Sequence, residues 1–246
     1  MKQYEPLIIS TLDQYQKGGN LYYFGMIAAG MMKDHSQNGE QAHILHYLDT
    51  IGLKTGHLVD LGAGDGFTMS NTRALLERGW TGDLYDGDPK GAKDVQHVWI
   101  DLEFLTDANG YRMIDPCHFL NIDLDGNDYH ILERLLGVWC GSYCDMPALI
   151  VCEINPIFAR DEAKVMPYNP EHVWDGTTYY GMSLAAAEQL GKQYGYTLVY
   201  LHAGINAFLL RDDHAEAHPK LIRPIDYKPK IDHRPDPKNR PWITLN

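Results

Sequence analysis

The chain has 246 residues, 44% hydrophobic and 22% charged, enough to bury a substantial core in one α/β domain with attachments. Its formal charge of −12 repels phosphate backbones and sets nucleic acid aside as a partner. Four cysteines, Cys117, Cys140, Cys144 and Cys152, form neither a CxxC pair nor a zinc-like array with the histidines, and a reducing cytoplasm is the expected location.

The first fifty residues read as helical. Their most apolar stretch, 21–32, is interrupted by Gly25 and Gly30 and is far short of a bilayer span. It reads as a buried helix, and no membrane partner is expected. Asn38, followed three residues later by Gln41, resembles a helix N-cap signature. Ile44, Leu45, Leu48 and Ile51 then fall at helical spacing, with Gly52 to end the helix.

From residue 57 short apolar runs alternate with amphipathic helices. Strands are expected at His57–Leu61, 83–85, 95–100, 118–122 and 148–154, the last apolar on both faces. Helices are expected at 69–78, stopped by Gly79, and at 127–136, with Gly137 just past the end. This alternation predicts a doubly wound, mostly parallel sheet. The loop 155–181 is long for a compact domain and carries Tyr168, His172, Trp174, Asp175, Tyr179 and Tyr180. It reads either as a lid or binding surface, or as a cover for the sheet edge. After a helix at 182–194, segments 196–201 and 206–210 are close enough to pair as an antiparallel hairpin.

The tail differs in composition. Residues 219–246 hold six of the thirteen prolines and a charge of +4, leaving −16 for residues 1–218. Regular structure is not expected there. The tail is either a disordered end or an extended arm on the acidic body or on a second subunit, which would make a homo-oligomer; Trp242 and Ile243 favour an arm. The chain thus divides into an N-terminal helical cap (1–52), a cofactor-binding α/β domain (53–211) and a Pro-rich extended tail (212–246).

The strongest local signal is Val59-Asp60-Leu61-Gly62-Ala63-Gly64-Asp65-Gly66, placed between a strand and a helix. Glycines let the backbone turn sharply and approach a ligand. A dinucleotide site needs G-x-G-x-x-G, whereas here the third glycine is Gly66 and Phe67 follows it. The loop has no lysine for a phosphate. Asp60 and Asp65 suit instead a ligand with an amino group and a sulfonium, which argues for S-adenosylmethionine and against a nicotinamide cofactor. An acid at the end of the second strand would hold ribose hydroxyls. Asp86 is preferred over Asp88, and Asp101 is a candidate for the adenine amino group.

Residues 60–66 with Asp86 resemble motif I and the following acidic position of class I S-adenosylmethionine-dependent methyltransferases. The terminal hairpin resembles that fold's seventh, antiparallel strand. Ser36-Gln37-Asn38-Gly39-Glu40, Gly79-Trp80-Thr81-Gly82 with Gly87-Asp88-Pro89, and Asn121-Ile122-Asp123-Leu124-Asp125-Gly126-Asn127-Asp128 are similar to FkbM-like methyltransferases. The resemblance implies a seven-stranded, Rossmann-like methyltransferase fold. It implies S-adenosylmethionine held by Glu40, Asp60, Gly62, Ala63, Gly64, Asp65, Gly66, Phe67, Asp86, Asp101 and Asp123. It also implies O-methylation of a small hydroxylated acceptor, such as a sugar or secondary metabolite. FkbM-type chains usually carry Glu where Asp125 or Asp86 stands, and the tail after Arg211 has no counterpart in them.

Methyl transfer to a hydroxyl needs positioning and either a proton acceptor or a metal. Asp123, Asp125 and Glu153 follow buried strands and are candidates for a general base or for ligands of Mg²⁺ or another divalent cation. Asn127 reads as a helix N-cap and Asp128 as a first-turn charge. His202 is a further catalytic candidate, and Asn206 is placed to face the same site. Two rival functions are a non-catalytic module that keeps the pocket as scaffold and an NAD-dependent oxidoreductase; Asp65 and Phe67 speak against the latter.

Overall fold

Alternate residues of each central strand face opposite layers, and both layers are apolar. Val59, Leu61, Leu120, Ile122, Ile150 and Cys152 belong to one core cluster, while Leu58, Phe119, Leu149 and Val151 belong to another. That two-sided burial puts their strands in the middle of a sheet. The computed structural model describes residues 21–88, 90–98, 100, 114–141 and 146–245. Its sheet comprises β1 (His57–Leu61), β2 (Thr81–Asp86), β3 (Gln96–His97), β4 (Phe119–Ile122), β5 (Leu149–Glu153), β7 (Tyr196–His202) and β8 (Asn206–Arg211). The order is β3-β2-β1-β4-β5-β8-β7. All pairs are parallel except those of β8, which is antiparallel to both β5 and β7. This is the doubly wound, mostly parallel seven-stranded sheet of the Rossmann-like methyltransferase fold, ending in the antiparallel hairpin.

Helices α1 (Leu21–Ala28), α2 (Glu40–Thr50), α3 (Arg73–Glu77), α4 (Asp128–Trp139), α5 (Leu184–Gln193) and α6 (Asp212–Ala217) complete the layers. Ile131, Leu132, Leu135, Leu184 and Leu190 bring α4 and α5 onto one face. Ile44, Leu45, Leu48, Leu75 and Ala215 bring α2, α3 and α6 onto the other. The region 1–52 therefore contributes a layer helix, and the tail begins with a helix packed on the same face. Fully burying one Leu or Ile contributes roughly 1.5–3 kcal/mol, so each layer helix is held mainly by these apolar stripes.

Several local expectations are corrected. Among its described side chains α1 buries Tyr23 and Phe24 and exposes Tyr22, and it ends at Ala28, so 21–32 holds a shorter surface helix and not a buried one. Gly39, at φ 92°, takes the N-cap place of α2 with no side-chain bond, because Asn38 donates to Glu40 and Gln41 accepts from the His35 amide. The helix expected over 69–78 shrinks to α3. Met69 adopts φ 57°, and Ser70 Oγ accepts from the Arg73 amide. Helix α4 passes through Gly137 to the fully buried Trp139, whose packing outweighs the glycine. The strand expected over 95–100 is reduced to the two residues of β3.

The loop 155–181 is not wholly irregular. Its β6 (Lys164–Val165) pairs antiparallel with β9 (Ile243–Thr244) at the end of the tail. The tail from residue 222 is thus an extended arm on its own chain. Trp242 packs edge-on against Phe158 and Tyr179, with ring centroids 4.7 and 5.0 Å away. Backbone bonds from Lys230 to Pro156 and from Leu245 to Ala163 fasten its two ends. Among the described residues, no helix is long and apolar enough to cross a membrane.

Candidate functional site

The carboxyl ends of β1, β2 and β4 open into a cleft of about 260 Å³. Ligands of open α/β sheets bind at this edge. Of the glycine loop, Gly62 lines the cleft, and Ala63, Gly64, Asp65 and Gly66 are not among its lining residues. The Gly62 and Ala63 amides both donate to the Tyr85 carbonyl, at 2.9 and 3.0 Å, which draws the loop against β2. Gly62 holds φ 87°, and a Cβ there would sit 1.7 Å from the Asp123 carbonyl oxygen. Only glycine lets the loops after β1 and β4 approach so closely. At the end of β2, Asp86 accepts from the Gly64 amide at 2.8 Å and from the Asp88 amide at 2.6 Å. Each carboxylate oxygen keeps further acceptor capacity toward the cleft, which Asp86 and Asp88 both line.

The other wall carries Asp123, Asp125, Asn127, His172, Val173 and Trp174. Carboxylate oxygens of Asp123, Asp125 and Glu153 lie within 4.8 Å of one another. Asp125 adopts φ 53°, a left-handed backbone conformation uncommon outside glycine. Burial, followed by the charges of Asp125 and Asp128, holds the Asp123 carboxyl well above its ordinary range. Burial, followed by Asp123 and Asp128, does the same for Glu153. A hydrogen bond between Asp123 and Glu153 lowers the first and raises the second, against the larger upward push of burial on both. Glu153 Oε2 is buried without a partner. Asp125 is pushed up to about 6 by burial and by Asp128 and Asp86.

The remaining acids serve the scaffold. Asp60 is 1% exposed and accepts from Thr72 Oγ1 at 2.6 Å and Asn121 Nδ2 at 2.8 Å, so it latches the glycine loop from beneath and does not line the cleft. Burial raises its pKa to about 6. Asp65 accepts from the Phe67 and Thr68 amides and the Thr68 hydroxyl, which hold it down at about 2. Asp128 is buried and accepts from the Leu124 and Gly126 amides, bracing the loop that presents Asp123 and Asp125. It is more than a first-turn charge. Asn127 is not a side-chain cap; its amide exchanges bonds with the backbone of Asn169.

Other sequence candidates lie elsewhere. Glu40 is buried and accepts from Asn38 and from Asn206 Nδ2, joining the start of α2 to β8. His202 contacts the Asn38 carbonyl at 2.8 Å and Tyr200, and its ring packs on His43. Neither Glu40 nor His202 lines the cleft, and the Asn206 amide is engaged by Glu40. Phe67 is exposed beneath the Arg73 guanidinium, 3.6 Å from its ring centroid. Asp101 lies outside the described residues.

One feature escaped the sequence reading, and another, His172, was read there only as part of a lid, binding surface or edge cover. Asn71, Thr72 and Asn121 form a buried polar network around Asp60; a lone Asn inside the apolar run 119–122 was the signal for it. His172 reaches the cleft because Gly126 leaves room: a Cβ there would meet His172 Cδ2 at 2.4 Å. Its Nε2 is buried and unpartnered, and burial lowers its pKa, so the ring is neutral.

No protein-family profile matches the sequence, and no curated protein matches it either. Solved structures that resemble the chain include 1,6-didemethyltoxoflavin-N1-methyltransferase of Burkholderia thailandensis with bound S-adenosylhomocysteine, at 12% identity and TM-score 0.39, covering 68% of this chain and 73% of that one. LepI in complex with S-adenosylmethionine matches at 14% and 0.39, covering 76% of this chain and 50% of its own. An S-adenosylmethionine-dependent methyltransferase from Aquifex aeolicus matches at 16% and 0.35, covering 69% and 89%. The fold assignment rests on the strand order itself.

Proposed function

We propose that the cleft binds S-adenosylmethionine and that the protein transfers its methyl group to a hydroxyl of a small acceptor, such as a sugar or secondary metabolite. One observation carries the reading. Asp86, Asp88, Asp123 and Asp125 line the cleft, and among the described residues no Lys or Arg lines it. Such a surface favours a ligand bearing an amino group and a sulfonium, and repels a pyrophosphate or a phosphorylated acceptor. The residues fit the cofactor: Gly62 brings backbone to the cleft, and Asp86 stands where ribose hydroxyls would be held. When bound, S-adenosylmethionine supplies a methyl carbon already activated by its sulfonium.

The chain's own part is orientation and proton removal. Asp123 faces the cleft with its pKa raised by burial and by the charges of Asp125 and Asp128, the direction that suits a carboxylate to take the acceptor's proton. Trp174 offers a flat apolar face to an acceptor ring. The convergence of Asp123, Asp125 and Glu153 favours a second way of assisting, in which the three hold Mg²⁺ or a similar hard cation that acidifies the acceptor.

Calorimetric titration with S-adenosylmethionine, S-adenosylhomocysteine and NAD, repeated on Asp86→Ala, tests the reading. Saturable binding of the two sulfur ligands, at least about tenfold weaker in the variant and absent for NAD, is expected. Absence of binding by both sulfur ligands sinks it. Repeating the titration with Mg²⁺, on the wild type and Asp125→Asn, decides between base and metal.

A further inference from the structure

Three residues of the cleft wall, His172, Val173 and Trp174, come from the loop 155–181, and the C-terminal arm holds that loop from outside. The Thr178 amide donates to the Arg234 carbonyl at 3.0 Å, and Arg234 Nη2 donates to the Asp175 carbonyl at 2.7 Å. Arg240 ties the two segments at one point. Its Nη2 donates to Asp175 Oδ2 at 2.8 Å, to Thr177 Oγ1 at 3.1 Å and to Asp236 Oδ1 at 3.0 Å. The guanidinium also lies 4.1 Å over the Tyr179 ring. Behind Trp174, His233 of the arm packs edge-on at 4.8 Å. A planar guanidinium suits such a junction, because its fork engages several oxygens at fixed angles where an ammonium cannot.

We propose that the arm is the outer half of the acceptor wall and that Arg240 is its positioning residue, pinning Asp175 and Thr177 so that Trp174 stays at the cleft. The word "acceptor" rests on the proposed function; the positioning itself does not. The arm bears the charge that the acidic body lacks, and it engages the loop beside Trp174 without entering the cleft.

Hydrogen exchange on the full chain and on Arg240→Ala and Arg240→Lys tests this, together with acrylamide quenching of Trp174, assigned by difference from Trp174→Phe. The Thr177 and Thr178 amides should exchange at least about tenfold faster in Arg240→Ala, with β5 amides unchanged and Trp174 more quenched. Arg240→Lys should recover only part of both. Unchanged exchange and quenching in Arg240→Ala overturns the positioning role. Affinity for S-adenosylhomocysteine should change less than about twofold, since Asp86 and the glycine loop are untouched; a tenfold loss overturns the assignment of this wall to the acceptor. Failure of the wild type to bind S-adenosylhomocysteine would refute the cofactor reading, while exchange and quenching still decide the role of the arm.

Discussion

Asp60→Asn separates a latch from a ligand contact. The carboxylate is 1% exposed, and its oxygens are engaged by Thr72 and Asn121. Burial raises its pKa to about 6 from the ordinary 3.8, with the Asp86 charge acting in the same direction. The sign of the linkage follows. Below pH 3.8 the group is protonated in both folded and unfolded chains and contributes nothing to the pH dependence. As pH rises toward 6 the unfolded chain ionises first, and stability is lost until the folded group ionises as well. The full penalty is about 3 kcal/mol above pH 6, at about 1.4 kcal/mol per pK unit. An amide at position 60 carries no charge, can accept from Asn121 and can donate to the Thr72 hydroxyl, so it costs about 1 kcal/mol or less in hydrogen bonding. Urea unfolding at pH 4 and pH 8 should therefore show the variant within about 0.5 kcal/mol of the wild type at the lower pH and about 2 kcal/mol more stable at the higher. Equal wild-type and variant slopes between pH 4 and 8 would refute the argument, and so would a tenfold change in S-adenosylhomocysteine affinity.

Gly62→Ala places a Cβ against the Asp123 carbonyl at a backbone angle that only glycine adopts freely; a loss of about 3 kcal/mol or more is expected in urea titrations, together with loss of cofactor binding. In Asp125→Asn, Asp123 loses the neighbouring charge that raises it most, so its pKa falls and the acidic limb of the pH–rate profile should move to lower pH. The same variant should gain stability above neutral pH, read from thermal melts. In Trp242→Ala the arm loses its edge contacts with Phe158 and Tyr179, and the Leu245 amide should exchange at least about tenfold faster.

The sheet was legible because burial leaves a periodic mark. The strands at 57–61, 119–122 and 149–153 are apolar on both faces, and the hairpin at 196–211 sits where two short apolar runs nearly touch. Elements whose limits depend on a distant partner were not legible. Helix α4 continues past Gly137 because Trp139 finds a core, and β6 exists because β9 comes back from residue 243 to pair with it. A local reading sees Lys164 and Val165 only as part of a loop. The tail was legible as irregular from its prolines and charge, and Trp242 and Ile243 favoured an arm over a disordered end, but its address on Asp175 and Tyr179 was not legible.

At the site, sequence order placed the acids at one edge and could not say which of them would be satisfied. That depends on backbone amides, which a loop either turns toward a carboxylate or does not. Asp65 meets the amides of Phe67 and Thr68 and is held low as an ion, while Asp128 meets those of Leu124 and Gly126, so each braces its own loop. Asp60 has two side-chain donors. Asp123, Asp125 and Glu153 have neighbours of their own charge instead, and all three are pushed above the carboxylate range. Carboxyls held this way lower the stability of the empty fold at neutral pH, and apolar residues of similar size would not. A scaffold selected for stability alone gives no reason to gather them beside Gly62 and Asp86. A cationic ligand in the cleft does, because it converts their mutual repulsion into binding.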